Sequence, residues 1–140
     1  MNFHLKHFKD LIEEYQLALF GQEVLSDYII GLDGQHRVLL IVPVTATDRH
    51  YLVHLDHVKS CSVKKNYGTI KTGALKKYRL EHFLQSVSLH FEIKGEPAVE
   101  IPFYHHHTHH EAELPKLEQK ARDWEAMLSK MLHAGMEKRA

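Results

Sequence analysis

The sequence predicts an α+β fold, an antiparallel sheet between two amphipathic helices, and three patterns carry that expectation. Apolar residues recur at alternating spacings of three and four at both ends of the chain, which puts them on one face of a helix. In the middle the spacing falls to two, the period of a strand with one buried face. Glycine, proline and acidic residues cluster between the alternating runs, where the turns of an antiparallel sheet need them.

The first helix is expected over residues 3 to 20, within an N-terminal segment 1–21. Leu5, Phe8, Ile12, Tyr15 and Leu19 share one stripe, while Lys6, Lys9, Asp10, Glu13 and Glu14 take the remaining surface. Gly21 is the expected stop. The sheet follows over 22–104. Its first hairpin joins VLSDYIIGL to RVLLIVPV through a DGQH turn centred on Asp33 and Gly34. A third strand is expected at RHYLVHL, with Tyr51, Val53 and Leu55 on one side and His50, Leu52, His54 and Asp56 on the other. VKSCSVKK supplies a fourth.

The clearest alternation comes later, where Val87, Leu89, Phe91 and Ile93, then Val99, Ile101 and Phe103, flank the turn KGEP and form a second hairpin. Between the hairpins, NYGTIKTGALKKYRLEHFLQ has two glycines and no clean period, so a long excursion with a short helix or an extra strand is expected. A histidine-rich connection over 105–114 leads to the C-terminal helix at 115–134. There Leu114, Leu117, Ala121, Trp124, Leu128 and Met131 hold the three-four alternation. Pro115 suits a first helical turn, the tetrad Thr108 to Glu111 offers an earlier capping box, and Gly135 suits the stop.

A chain of 140 residues with 44% hydrophobic and 26% charged residues matches one globular domain, 1–140, with its own core. Cys61 is the sole cysteine, so neither an internal disulfide nor a cysteine-based zinc site is available, and a reducing, cytoplasmic setting is expected. The longest apolar run, Val38 to Val44, is interrupted by Pro43 and is far shorter than the roughly 20 residues of a membrane-crossing helix. Eighteen basic residues balance eighteen acidic ones, which argues against a nucleic-acid partner. Fourteen histidines make the charge strongly dependent on pH below neutrality.

Two consecutive groups of antiparallel strands, then one amphipathic helix with the sole tryptophan, Trp124, in its middle at KARDWEAML, make an order that resembles the pleckstrin-homology-like fold over residues 24 to 134. In that family the helix plugs the open end of a bent sheet or partly open barrel. The resemblance is in particular to its bacterial branch of uncharacterised function. It implies seven strands, of which six are recognised here and the seventh would lie within residues 69 to 85. Members that bind phosphoinositides carry a basic loop between the first two strands. The corresponding GLDGQHR has Arg37 as its only fixed cation, so lipid binding is not carried over. The resemblance implies a binding or scaffold module rather than an enzyme, with no cofactor.

Four groups of residues could carry chemistry. His105, His106, His107, His109 and His110 are dense enough to bind zinc or another divalent transition metal, although a run of adjacent histidines lacks the separated, oriented ligands of a dedicated site. The tetrad HLDH, with His54, Asp56 and His57, resembles half of the HxHxDH motif of metallo-β-lactamase-like hydrolases, with Leu52 where that motif has its first histidine. Cys61, two residues before Val63 in a strand, reads as a small buried hydrophobe rather than a nucleophile. No GxSxG elbow, phosphate loop, GxGxxG turn or HExxH helix occurs. The fourth group is a stretch without acids from His57 to Leu80, holding Lys59, Lys64, Lys65, Lys71, Lys76, Lys77 and Arg79 with Tyr67 and Tyr78 interleaved. Such a surface attracts anions. The leading expectation is therefore a non-enzymatic module contacting an anionic surface or a protein partner through this excursion; the alternative is a histidine-dependent metal protein.

Overall fold

The computed structural model describes residues 3–45, 49–71 and 73–139. Contacts divide the chain into two compact units, one formed by Met1–Lys59 with Met131–Ala140 and the other by Ser60–Lys130. Among the described residues, seven strands pair in two separate antiparallel sheets. The antiparallel strands expected from the sequence are thus present, seven in number and divided between a four-stranded and a three-stranded sheet.

The first unit opens with helix α1, Phe3–Glu14. It is shorter than the expected 3–20. Gln16 adopts a left-handed conformation at φ 52, and the amides of Gln16 and Leu17 return to the carbonyls of Glu13 at 3.2 Å and Ile12 at 2.9 Å. These two bonds make a Schellman stop with glutamine where glycine is usual. Leu17 and Ile12, the apolar pair such a stop brings together, both pack on the core of Phe8, Leu11, Ile29, Leu40 and Val42. Leu19 and Gly21 therefore belong to strand β1, Leu19–Val24, and Gly21 is not the helix stop.

Strands β2 (Tyr28–Asp33) and β3 (Val38–Pro43) form the expected hairpin, with Asp33 opposite Val38. They are the two central strands of a sheet ordered β1-β2-β3-β4, with β4 spanning Tyr51–His54. Ile29, Ile30, Leu32 and Leu39 to Val42 are all buried. Central strands covered on both faces read as continuous apolar runs, which is why VLLIV shows no alternation. On β4, Val53 is buried as expected and Leu55 is buried in the short 3-10 turn that follows, but Tyr51 is exposed. β1 pairs with β2 through a bulge between Leu19 and Gly21, and Phe20 at the bulge is 69% exposed.

Two residues fix how these elements meet. Gly31 gives way to the Phe8 ring, for a Cβ there would lie 2.6 Å from Phe8 Cζ. Asp33 is fully buried at the hairpin end. It accepts hydrogen bonds from the amides of Ala18 (3.0 Å) and His36 (2.8 Å) and from His36 Nδ1 (2.6 Å). Burial pushes its pKa up, but these donors together outweigh burial and hold the carboxyl below its usual value.

The second unit contains strands β5 (Val58–Tyr67, entering from the first unit), β6 (Leu84–Ile93) and β7 (Val99–His105), ordered β5-β6-β7. The β6–β7 hairpin has the expected register, Leu89 opposite Ile101 and Phe91 opposite Val99, and Gly95 turns it at φ 75. Pro102 is tolerated because β7 is an edge strand and a bulge falls between Val87 and Ser88. β5 is the other edge. Its Val63 amide donates to the Glu125 carboxylate, which satisfies a group that an edge strand otherwise leaves unpaired.

The excursion forms a single helical turn, α2 at Ala74–Lys77, and a 3-10 turn at Leu80–Phe83. It contains no strand among the described residues; the seventh strand is β1. Helix α3 covers Leu114–Arg139, longer than the expected 115–134, and runs through Gly135. A 3-10 turn at Glu111–Glu113 precedes it, where the Glu113 carboxylate accepts from the His110 amide at 2.9 Å. The side-chain cap thus joins Glu113 to His110 rather than Glu111 to Thr108. Leu114, Ala121, Trp124 and Leu128 of the apolar stripe are buried. Among the described residues no helix is long and apolar enough to cross a membrane.

Candidate functional site

The seven cations of the excursion do not form one surface. Lys64 lies 3.4 Å from Glu100 and Lys65 lies 3.1 Å from Glu118, which Arg122 also pairs at 3.0 Å. His90, Lys64 and partial burial act on Glu100, and the hydrogen bond from His90 contributes most to its lowered pKa. For Glu118, burial acts upward but Lys65 and Arg122 outweigh it, so its carboxyl also stays below the usual range. Lys64 and Lys65 are therefore partly neutralised inside the second unit. Lys59 is exposed at the start of β5, near the unit boundary.

Lys71, Lys76, Lys77 and Arg79 differ. All four are exposed on the segment that leaves β5 and returns at β6, and they pair with no described side chain. The same segment carries exposed apolar groups, Leu75 and Tyr78 at 54% and Leu80 at 43%, with Tyr67 at 39% where it begins. Tyr78 leans on its own loop, its ring edge-on to His82 at 6.0 Å and to Phe83 at 6.4 Å.

The two ends of this loop are tied by the Gly68 amide, which donates to the Phe83 carbonyl at 2.8 Å. At that base lies a cavity of about 420 Å³, lined among others by Thr69, His82, Tyr104, His106, His109 and Glu111. Sequence reasoning did not anticipate it, since its walls come from three separate stretches of chain and no local spacing joins them. Burial, then the nearby Glu111 and Glu113, raise the Tyr104 pKa, so its hydroxyl keeps its proton at neutral pH.

The histidine tract is structured by its own rings. His105 Nδ1 accepts from the His107 amide at 3.2 Å, and His109 Nδ1 accepts from the His105 amide at 3.1 Å. An imidazole that accepts at Nδ1 in its neutral form carries its proton at Nε2, which withdraws both nitrogens from metal ligation. His106 has the opposite tautomer, with Nδ1 3.1 Å from the Gln85 carbonyl. The rings of His105, His106 and His107 cluster with centroids 3.8 to 5.3 Å apart, His105 stacked on His106 and His107 tilted against both. Among the described residues no group of three or more His, Cys, Asp or Glu is arranged to hold a metal.

The other candidates are also committed elsewhere. His54 and His57 rings lie 5.9 Å apart, but Asp56 between them pairs with the Arg37 guanidinium at 2.9 Å. Cys61 is buried, and burial together with the neighbouring Glu125 pushes its thiol up to about 12. A thiol held protonated is not a nucleophile at neutral pH. Of the sequence candidates, the four cations of the 71–79 loop are those that share one exposed element without a described partner. Compared with family models, curated proteins and solved structures, the chain matches none.

Proposed function

We propose that the chain is a non-enzymatic binding module of pleckstrin-homology-like architecture that docks on an anionic surface through the 71–79 loop. The observation that carries this is the concentration of Lys71, Lys76, Lys77 and Arg79, all exposed and without a described partner, within residues 71–79, a stretch with no acid that Glu81 follows two residues later. Four exposed cations a few residues apart attract a polyanion by long-range steering and by release of its counterions. The architecture is supported by seven strands in chain order, four in one antiparallel sheet and three in the next, followed by a helix with a buried tryptophan. Such a fold hosts many functions, so the site rather than the fold carries the functional part.

The test is retention on immobilised heparin, a soluble-polyanion mimic, across a salt gradient. The wild-type chain should be retained and eluted by salt. Lys71→Ala/Lys76→Ala/Lys77→Ala/Arg79→Ala should elute well before it, with a shallower salt dependence, while Lys64→Ala/Lys65→Ala should elute close to wild type. Equal elution of the fourfold variant and wild type would reject the loop as the contact surface.

A further inference from the structure

Charge alone does not account for the loop, because it also holds apolar side chains in water. In the second unit, every exposed large hydrophobic residue among those described, Tyr67, Leu75, Tyr78 and Leu80, falls within residues 67–80. The rest of that unit buries its large apolar groups, including Val87, Leu89, Phe91, Ile101 and Phe103. Scattered exposed hydrophobes need no explanation, but their confinement to one short cationic loop does.

Possible anionic partners can be separated by what they offer to leucine. A nucleic acid presents phosphates and base faces, on which aromatic rings stack but aliphatic side chains find little. An acidic protein surface offers carboxylates for the cations but no continuous apolar layer beneath them for Leu75 and Leu80 to enter. A bilayer with anionic headgroups offers both layers at once: negative charge at the surface for Lys71, Lys76, Lys77 and Arg79, and acyl chains a few ångströms below for Leu75 and Leu80. Tyr78, with an apolar ring and a polar hydroxyl, suits the boundary between them. Leu75 is followed directly in α2 by Lys76 and Lys77, whose long flexible stems let the ammonium groups stay at headgroup depth while the leucine enters.

Resting on the anionic-surface proposal above, we infer that the partner is an anionic lipid interface, entered by Leu75, Tyr78 and Leu80 while the four cations bind the headgroups. This loop joins β5 to β6, whereas the basic loop of phosphoinositide-binding relatives joins the first two strands. The affinity is shared between charge and insertion, so each half can be removed separately.

The experiment uses the full chain with Leu75→Cys labelled by an environment-sensitive dye. Buried Cys61, with its thiol at about 12, leaves residue 75 as the reactive site. Vesicles of phosphatidylcholine with about 30% phosphatidylserine should raise and blue-shift the emission, and pure phosphatidylcholine vesicles should not. In sedimentation with the mixed vesicles, Leu75→Ser/Tyr78→Ser/Leu80→Ser should partition at least ~10-fold less than wild type. Its heparin elution should be unchanged. These residues are exposed, and unaltered Trp124 fluorescence will verify folding. If the serine variant partitions like wild type, or the dye reports water on bound protein, insertion is overturned and the cationic docking survives. If wild type ignores heparin and mixed vesicles alike, both proposals fall.

Discussion

Gly31→Ala tests whether the seating of α1 on its sheet depends on a missing side chain. The new Cβ would lie 2.6 Å from Phe8 Cζ and 3.1 Å from Leu19 Cδ2. Unbonded carbons are most favourable at about 3.5–4.0 Å, so the ring must retreat by roughly 1 Å. Phe8 is only 2% exposed and stands among Leu11, Ile29, Leu40 and Val42, so there is little space to retreat into. Overpacking of this kind costs about 1–3 kcal/mol, while replacing glycine by alanine in a strand returns about 0.5–1 kcal/mol. The net expectation is a loss of about 1–2 kcal/mol, read as a lower urea midpoint at constant slope by far-ultraviolet circular dichroism. Phe8→Leu, which shortens the ring that causes the clash, should cost on the order of 1–2 kcal/mol alone. In the double variant the two losses should fall short of their sum by about 1 kcal/mol. A neutral or stabilising Gly31→Ala, or strict additivity with Phe8→Leu, would refute the close-approach argument.

Asp33, Glu100 and Glu118 all have lowered pKa values in the folded chain. They therefore bind fewer protons folded than unfolded, and their contribution, complete above the ordinary carboxylate range near pH 4, is lost as pH falls through the folded values. Chemical denaturation should show a midpoint that drops below about pH 4, and Asp33→Asn should cost about 1.5–3 kcal/mol at neutral pH and reduce that acid loss; an acid profile identical in the variant would remove Asp33 as a contributor. Gln16→Gly should stabilise by about 0.5–1 kcal/mol, since glycine adopts the left-handed stop without a Cβ penalty, and a destabilised variant would mean that the glutamine side chain matters more than its backbone. Trp124→Ala should cost about 3–5 kcal/mol, and wild-type emission near that of free tryptophan would contradict the burial of Trp124.

Elements whose pattern matched their burial were legible in advance. The β6–β7 hairpin alternates because one face of each strand is more buried, and the α3 stripe shows because one side of a long helix is. β1 was hidden for a physical reason. Leu19 continues the three-four spacing of Tyr15, and the residue that ends the helix, Gln16, has no special liking for the left-handed region it occupies. The boundary was set by the pull of Leu17 into the core, a tertiary effect that local spacing does not record. The candidate loop was half legible: its seven cations stand out in the sequence, but which are already paired depends on Glu100 and Glu118 from distant strands and helix. The tautomers of the histidine tract were beyond reach of sequence, since they follow from which ring nitrogen meets which backbone amide.

Arg37 has a consequence for the order in which the chain is assembled. Held at φ 58 in the β2–β3 turn, it donates to Asp56 and to the carbonyl of Met131, 94 positions further along. The four strands and α1 of the first unit emerge from the ribosome well before Met131 does. Closing so long a loop is entropically costly and slow compared with forming a hairpin. Throughout synthesis, then, one end of the first sheet waits with its guanidinium only partly satisfied. A nascent chain stalled before residue 131 should be open there to proteolysis, and emergence of Met131 should close it.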